Sequence, residues 1–161
     1  MSKKKDESLV LGQILETLAS EIGATVLMEP EQDTAGQITF KNGRYSYFRD
    51  NTFDFNPAGA SAVALDKDCV IFFMQSMGYK TVPNSNTFFS KEWAKIINAT
   101  DKNIDSAYKY AKQLGLPVIV KPNCGSQSSG VTLVHDKKGF YEAMQQIFKS
   151  DHTAIVQPFV E

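Results

Sequence analysis

Residues 116–134, LPVIVKPNCGSQSSGVTLV, constrain this chain more than any other stretch. Two runs rich in β-branched residues, 118–120 and 131–134, enclose small polar residues bounded by Gly125 and Gly130, and Lys121 closes the first run. Branched side chains pack well on a pleated surface, so the pattern predicts strand, loop, strand. Glycine opens backbone angles closed to other residues and lets the main chain approach a ligand, so the N–H groups of such a loop can cradle phosphate oxygens. Lys121 adds a full positive charge, and Ser126, Ser128 and Ser129 add hydroxyl donors. The same residues also suit a surface hairpin with glycines for turn geometry and a solvated lysine. Taken alone, the stretch leaves both readings open.

Any phosphate site must be local, because 17 Lys+Arg against 18 Asp+Glu leave no basic excess of the kind nucleic acid requires. A hydrophobic fraction of 42% over 161 residues supports a core for one domain or two small lobes. No apolar run approaches the ~20 residues of a membrane helix, and MSKKKDESLVLGQ lacks a signal-peptide core, so the expected setting is cytoplasmic. Cys69 and Cys124 lie far apart in sequence, and His135 and His152 are isolated, which predicts neither zinc nor a disulfide framework. The glycosylation-like Asn98-Ala99-Thr100 is read as chance.

In chain order, residues 3–5 are charged and expected to be frayed. Leu11, Ile14, Leu15, Leu18 and Ile22 give a helical stripe over 9–22, with Gly23 as its stop. Residues 24–28 read as a strand, and 37–40 with 45–48 as a hairpin about Asn42-Gly43. Small residues 58–64 lead into a helix whose stripe is Val70, Phe73, Met74 and Met77, ending at Gly78; Lys67 lies at the joint. Two short strands are expected at 79–82 and 87–89. Helices follow after Ser90, from Asn103 to Gly115, and after Asp136, with a last strand at 154–156. Hairpin-linked strands with helices laid on one side make an α+β chain.

These segments in their order, LDKDCVIFFMQSMGYKTVP, LGLPVIVKPNCGSQSSGVTLV and AIVQPFVE, resemble the first half of an ATP-grasp ligase. Within that superfamily the chain is similar to cyanophycin-synthetase-like and other carboxylate–amine ligases. The resemblance implies an antiparallel nucleotide-binding lobe over 55–161, preceded by a small α/β segment over 1–54. It implies ATP as cofactor, with Lys67 and Lys121 on the α- or β-phosphate oxygens. Gly125, Ser126, Gln127, Ser128, Ser129 and Gly130 form a flap over the β- and γ-phosphates. Gln157, Pro158, Phe159 and Val160 meet the adenine, and Val120 and Ile155 wall its ring. Ser129 and Gln157 depart from the glycine and glutamate of many members: serine restricts the backbone, and glutamine keeps a hydrogen-bond acceptor.

The motifs for Mg²⁺ ligands and the acceptor site belong to the second half of that fold, and the sequence does not show them. The chain is therefore expected to carry no catalytic residue of its own and to be a portion of a longer ligase. That ligase would join small-molecule or peptide carboxylates to amines through an acyl phosphate, without nucleic-acid or membrane partners; an oligomer is left open. The alternatives are a non-catalytic ATP-binding remnant or interaction module and, on the hairpin reading, a ribose-phosphate or carboxylate binder of unrelated fold.

Overall fold

The computed structural model describes residues 11–50 and 52–160. The frayed start expected at 3–5, the first helical residues 9–10 and Glu161 lie outside them. The chain divides into two compact units between Ala58 and Gly59.

In the first unit α1 (Leu11–Ala19) lies against a meander of β1 (Ala24–Met28), β2 (Ala35–Phe40), β3 (Tyr45–Arg49) and β4 (Thr52–Phe53), each pair antiparallel. The helix packs through Gly12, Leu15 and Ala19, leaving Ile14, Leu18 and Ile22 exposed. That face differs from the predicted stripe because small residues allow the closest approach: a Cβ on Gly12 would collide with the Met28 side chain. The hairpin forms as expected, although Asn42 keeps a negative φ. Gly43 alone is left-handed (φ 79°), and its N–H donates to Phe40 O, a type I turn closed by a glycine bulge.

In the second unit α2 (Ala58–Leu65) and α3 (Lys67–Ser76) precede an antiparallel sheet of order β5-β8-β6-β7: β5 (Asn86–Phe89), β8 (Thr153–Pro158), β6 (Val118–Pro122) and β7 (Thr132–Val134). Helix α4 (Lys91–Ile96) is capped by Ser90, α5 (Ile104–Leu114) by Asn103 and α6 (Lys137–Ile147) by Asp136, each offering side-chain oxygen to first-turn N–H groups. Val118, Val120, Val134, Ala154 and Val156 point from one sheet face into a core closed by Ala107 and Ala111 of α5 and Phe140, Ala143, Met144 and Ile147 of α6.

Two expectations fail here. Residues 79–82 form no strand: Gly78 and Tyr79 close a Schellman turn on Gln75 O and Met74 O, and β8 pairs only with 86–89 on that edge. The small-residue stretch forms its own helix, α2, and the joint at Asp66 is a break before α3. The stripe of α3 is not core either, since Phe73 and Met77 are 48% and 70% exposed. Met144, fully buried, is the core's test: Met144→Ala should cost about 2–5 kcal/mol in chemical denaturation, because the cavity adds to the lost transfer energy.

Candidate functional site

The break at Asp66 creates the site. Asp66 has extended backbone (φ −100°, ψ 107°) and caps α3 by accepting the Cys69 N–H at 2.8 Å, so Lys67 becomes the first helical residue. Burial alone would raise the Asp66 carboxyl, but hydrogen bonds from the Cys69 N–H and the Asn123 side chain outweigh it and hold it below its ordinary range. The Lys67 ammonium donates to Asn123 O at 3.0 Å and Gly125 O at 2.9 Å, while its backbone N–H reaches Asn123 O at 3.3 Å. Asn123, only 4% exposed, accepts the Asp68 N–H on Oδ1 at 2.9 Å and donates its own N–H to Thr153 O at 3.0 Å. Asp68 in turn accepts the Thr87 hydroxyl at 2.6 Å. One hydrogen-bonded chain thus joins the start of α3 to the end of β6 and to β8 and β5.

Strand β6 aims the second lysine. Alternation sends Ile119 and Lys121 to the face away from α5 and α6, Ile119 opposite Gln157 and Lys121 opposite Ile155. There a cleft of about 360 Å³ is lined by Lys67, Ile119, Lys121, Gln157, Val131 and the loop. A second hollow, about 250 Å³, is walled by Ala64, Val70, Ile71 and Val82 and shares Lys67, Lys121 and Gln157 with the first. Burial, and then the neighbouring Lys67 charge, push the Lys121 ammonium below its ordinary value of 10.5. Among the described residues no carboxylate or carbonyl takes a hydrogen bond from it. Gln157 Oε1 is likewise shut from solvent without a partner.

The loop lies open to solvent. Gly125 (φ 104°) and Gly130 (φ 73°) are left-handed, and so are Gln127 (φ 53°) and Ser128 (φ 59°). The restriction expected at Ser129 therefore falls on its two predecessors. Ser129 N–H donates to Ser126 O at 3.0 Å and Val131 N–H to Ser128 O at 3.2 Å, while Cys124 N–H anchors on Asp151 Oδ2 at 2.8 Å. Ammonium groups, serine hydroxyls and backbone N–H groups beside an apolar slot make a place for a flat ring carrying several anionic oxygens.

Lys67, Lys121, Gln157 and the whole loop from Gly125 to Ser129 meet in one cleft, and Gly130 closes the loop. Val120 does not reach it, being fully buried on the α5/α6 face, and Ile119 lines the cleft instead. Ile155 shares the cleft face beside Lys121, but it is buried and lines neither hollow. Pro158 ends β8, and Phe159 and Val160 follow it exposed; none of the three lines either hollow. Asn123 and the apolar wall of Val70, Ile71 and Val82 were missed. For Asn123 the available signal was its place directly after Lys121-Pro122; for the wall there was only apolar spacing, which reads equally as core.

Residues 74–161 match the family model described as D-ala D-ala ligase C-terminus. The D-alanine–D-alanine ligase of Clostridium botulinum is 30% identical over 101 residues, 63% of this chain and 29% of that ligase; the Bacillus anthracis ligase is 26% identical over 102 residues, with the same two shares. The chain thus spans less than a third of the length of these relatives. In fold it is similar to D-alanyl-alanine synthetase A from Vibrio cholerae (TM-score 0.60, 13% identity, 94% of this chain and 55% of that one). It is also similar to the D-alanine-D-alanine ligase from Coxiella burnetii (TM-score 0.51, 19% identity, 63% and 26%). The expectation of an ATP-grasp lobe is borne out; the finer likeness to cyanophycin synthetases finds no support among these relatives. By its sequence match and its fold, the chain belongs to the D-ala D-ala ligase C-terminus family of the ATP-grasp superfamily.

Proposed function

We propose that residues 55–161 hold ATP as the first lobe of a carboxylate–amine ligase, with residues 1–54 as a separate preceding segment. The phosphates lie under the 125–130 loop and the ring in the apolar hollow beside Gln157. The observation that carries this reading is Lys121, an unpaired, half-buried ammonium facing a cleft roofed by a glycine–serine loop. A cation held out of water without a counter-ion is costly until an anion arrives, and a phosphate oxygen removes that cost.

In the reaction proposed, a carboxylate oxygen attacks the γ-phosphorus and ADP leaves. The amine then attacks the acyl carbon and phosphate departs, forming the amide. The relatives' names make amino acids the substrate class to try first. This chain's residues would hold the nucleotide, spread positive charge over its oxygens and, with the loop, exclude water. Among the described residues no group of three His, Cys, Asp or Glu side chains could hold a metal ion. The magnesium that accompanies ATP in the resemblance therefore has no ligand set in the described residues. No helix among them is long and apolar enough to cross a membrane; a cytoplasmic setting is part of the proposal.

Lys121→Met keeps the stem and deletes the charge. Titration calorimetry with Mg-ATP should show an affinity loss of about 1.5–3 kcal/mol, against almost none for Lys109→Met, an exposed lysine on α5. Equal, small effects would make Lys121 a surface lysine and the stretch a hairpin.

The same variant has a pH signature. Because the Lys121 pKa is lowered on folding, the folded chain holds fewer protons than the unfolded one between the lowered value and 10.5, and wild-type stability rises with pH across that window. Below the window the burial cost is fully present. Lys121→Met should therefore melt at or above wild type near about pH 7, with the gap closing toward about pH 10 in calorimetry.

A further inference from the structure

Asn123 is 4% exposed, yet each of its polar groups is engaged. Its N–H donates to Thr153 O, which pins the residue to β8, and its carbonyl accepts both N–H groups that Lys67 offers, backbone and ammonium. Its side-chain amide reaches across to α3, where Oδ1 accepts the Asp68 N–H at 2.9 Å and the amide N–H donates to the Asp66 carboxylate. Helix α3 depends on such a grip. Neither α2 nor α3 contains a fully buried residue, so apolar packing holds them weakly. Among the described residues, hydrogen bonds from α3 and its cap to the sheet and its loop end on Asn123, Gly125 and Thr87. Gly125 belongs to the open loop, and Thr87 reaches only Asp68. Of the three, Asn123 alone touches residues 66, 67 and 68 in succession. It also directly follows the strand that carries Lys121. A start of α3 free to move would take Lys67 away from Lys121, because like charges repel and water solvates each better apart. The two carbonyls that hold the Lys67 ammonium leave its third N–H for a ligand oxygen.

We propose that Asn123 is a positioning residue that seats the start of α3 on the sheet and so sets the Lys67 ammonium beside that of Lys121, giving an anion two charges to bridge. The seat stands on this chain's contacts; its consequence for phosphate rests on the nucleotide reading. An amide suits the post because it offers an acceptor to a helix N–H and a donor to a carboxylate at once, which neither an ionised aspartate nor an alanine does.

Hydrogen exchange on the full chain without nucleotide tests the seat, with α5 and α6 peptides as the internal reference. Asn123→Ala should speed exchange across 67–70 roughly tenfold or more while the reference keeps wild-type rates, and unchanged exchange overturns the proposal. NMR titration of the Lys121 ammonium reads the consequence for the pair: its pKa should move up in Asn123→Ala as it does in Lys67→Met, and a wild-type titration in Asn123→Ala overturns the positioning. Asn123→Asp sets a second carboxylate against Asp66, so the exchanged pair Asp66→Asn/Asn123→Asp should protect 67–70 better than Asn123→Asp alone; no difference overturns the contact. Should Asn123→Ala also loosen α5 and α6, the wild type decides instead: its Asp68 N–H should exchange as slowly as the core amides of α5, and a rate like that of the open loop overturns the seat. Mg-ATP titration separates the seat from the nucleotide reading. Asn123→Ala should cost roughly tenfold in affinity where Lys67 is present and almost nothing in the Lys67→Met background, which has no ammonium to place. Equal losses in both backgrounds would mean that Asn123 only supports the fold, and the proposal is wrong. If wild type binds no Mg-ATP while exchange and the Lys121 titration respond as stated, the nucleotide reading fails and the seat stands.

Discussion

Strand β6 must serve two environments at once, and the rest of the second unit depends on how it does so. Val118 and Val120 are fully buried against α5 and α6, while Ile119 and Lys121 point the other way. Burial of each valine is worth roughly 1.5–3 kcal/mol, and a slip of one residue would expose both while driving an ammonium into the core. The pairing is fixed from both sides, Val118 opposite Val134 on β7 and Val120 opposite Val156 on β8. Apolar packing on one face is therefore what aims the charge on the other. The lysine need contribute nothing to its own placement.

Charge is handled locally, since the chain as a whole carries a net −1. Two carboxylates at the start of α3 are already engaged: Asp66 takes the Cys69 N–H, and Asp68 takes the Thr87 hydroxyl. Carboxylates committed in this way support the local backbone without neutralising Lys121. A cleft with low-dielectric walls and one uncompensated ammonium concentrates positive potential at a point, which a globally basic surface would spread thin. The apolar hollow beside it leaves that field weakly screened.

Elements whose signals are local were legible in the sequence. Ser90, Asn103 and Asp136 are caps because their short side chains reach first-turn N–H groups whatever packs nearby, and the β6 alternation follows from period two alone. What failed depended on partners distant in sequence. The stripe of α1 was read from large apolar residues, yet contact goes through Gly12 and Ala19, where the sheet comes closest. At α3, Phe73, Met74 and Met77 have helical spacing without burial, because periodicity reports a face and not what covers it. Val120, placed at the ring by the resemblance, belongs to the core, because alternation along β6 puts it on the face opposite Lys121. Asn123 was passed over, since its place after Lys121-Pro122 does not by itself show that it is buried against the start of α3.

The loop's energetics follow from where its left-handed residues fall. Gly125 and Gly130 adopt positive φ at little cost, but Gln127 and Ser128 do so with side chains, at roughly 1–2 kcal/mol each. Against this stand two turn hydrogen bonds in solvent, Ser129 to Ser126 and Val131 to Ser128, each worth about 0.5–1.5 kcal/mol net. The two sides nearly cancel, so this conformation lies in a shallow well whose depth is set mainly at its base, by Lys67 and by Asp151. A ligand offering a few charge-assisted hydrogen bonds to the loop can shift such an equilibrium by more than the well is deep. On the proposed nucleotide reading, the side chains at 127 and 128 keep the resting loop from being too stable, so that an anion in the cleft would rearrange it.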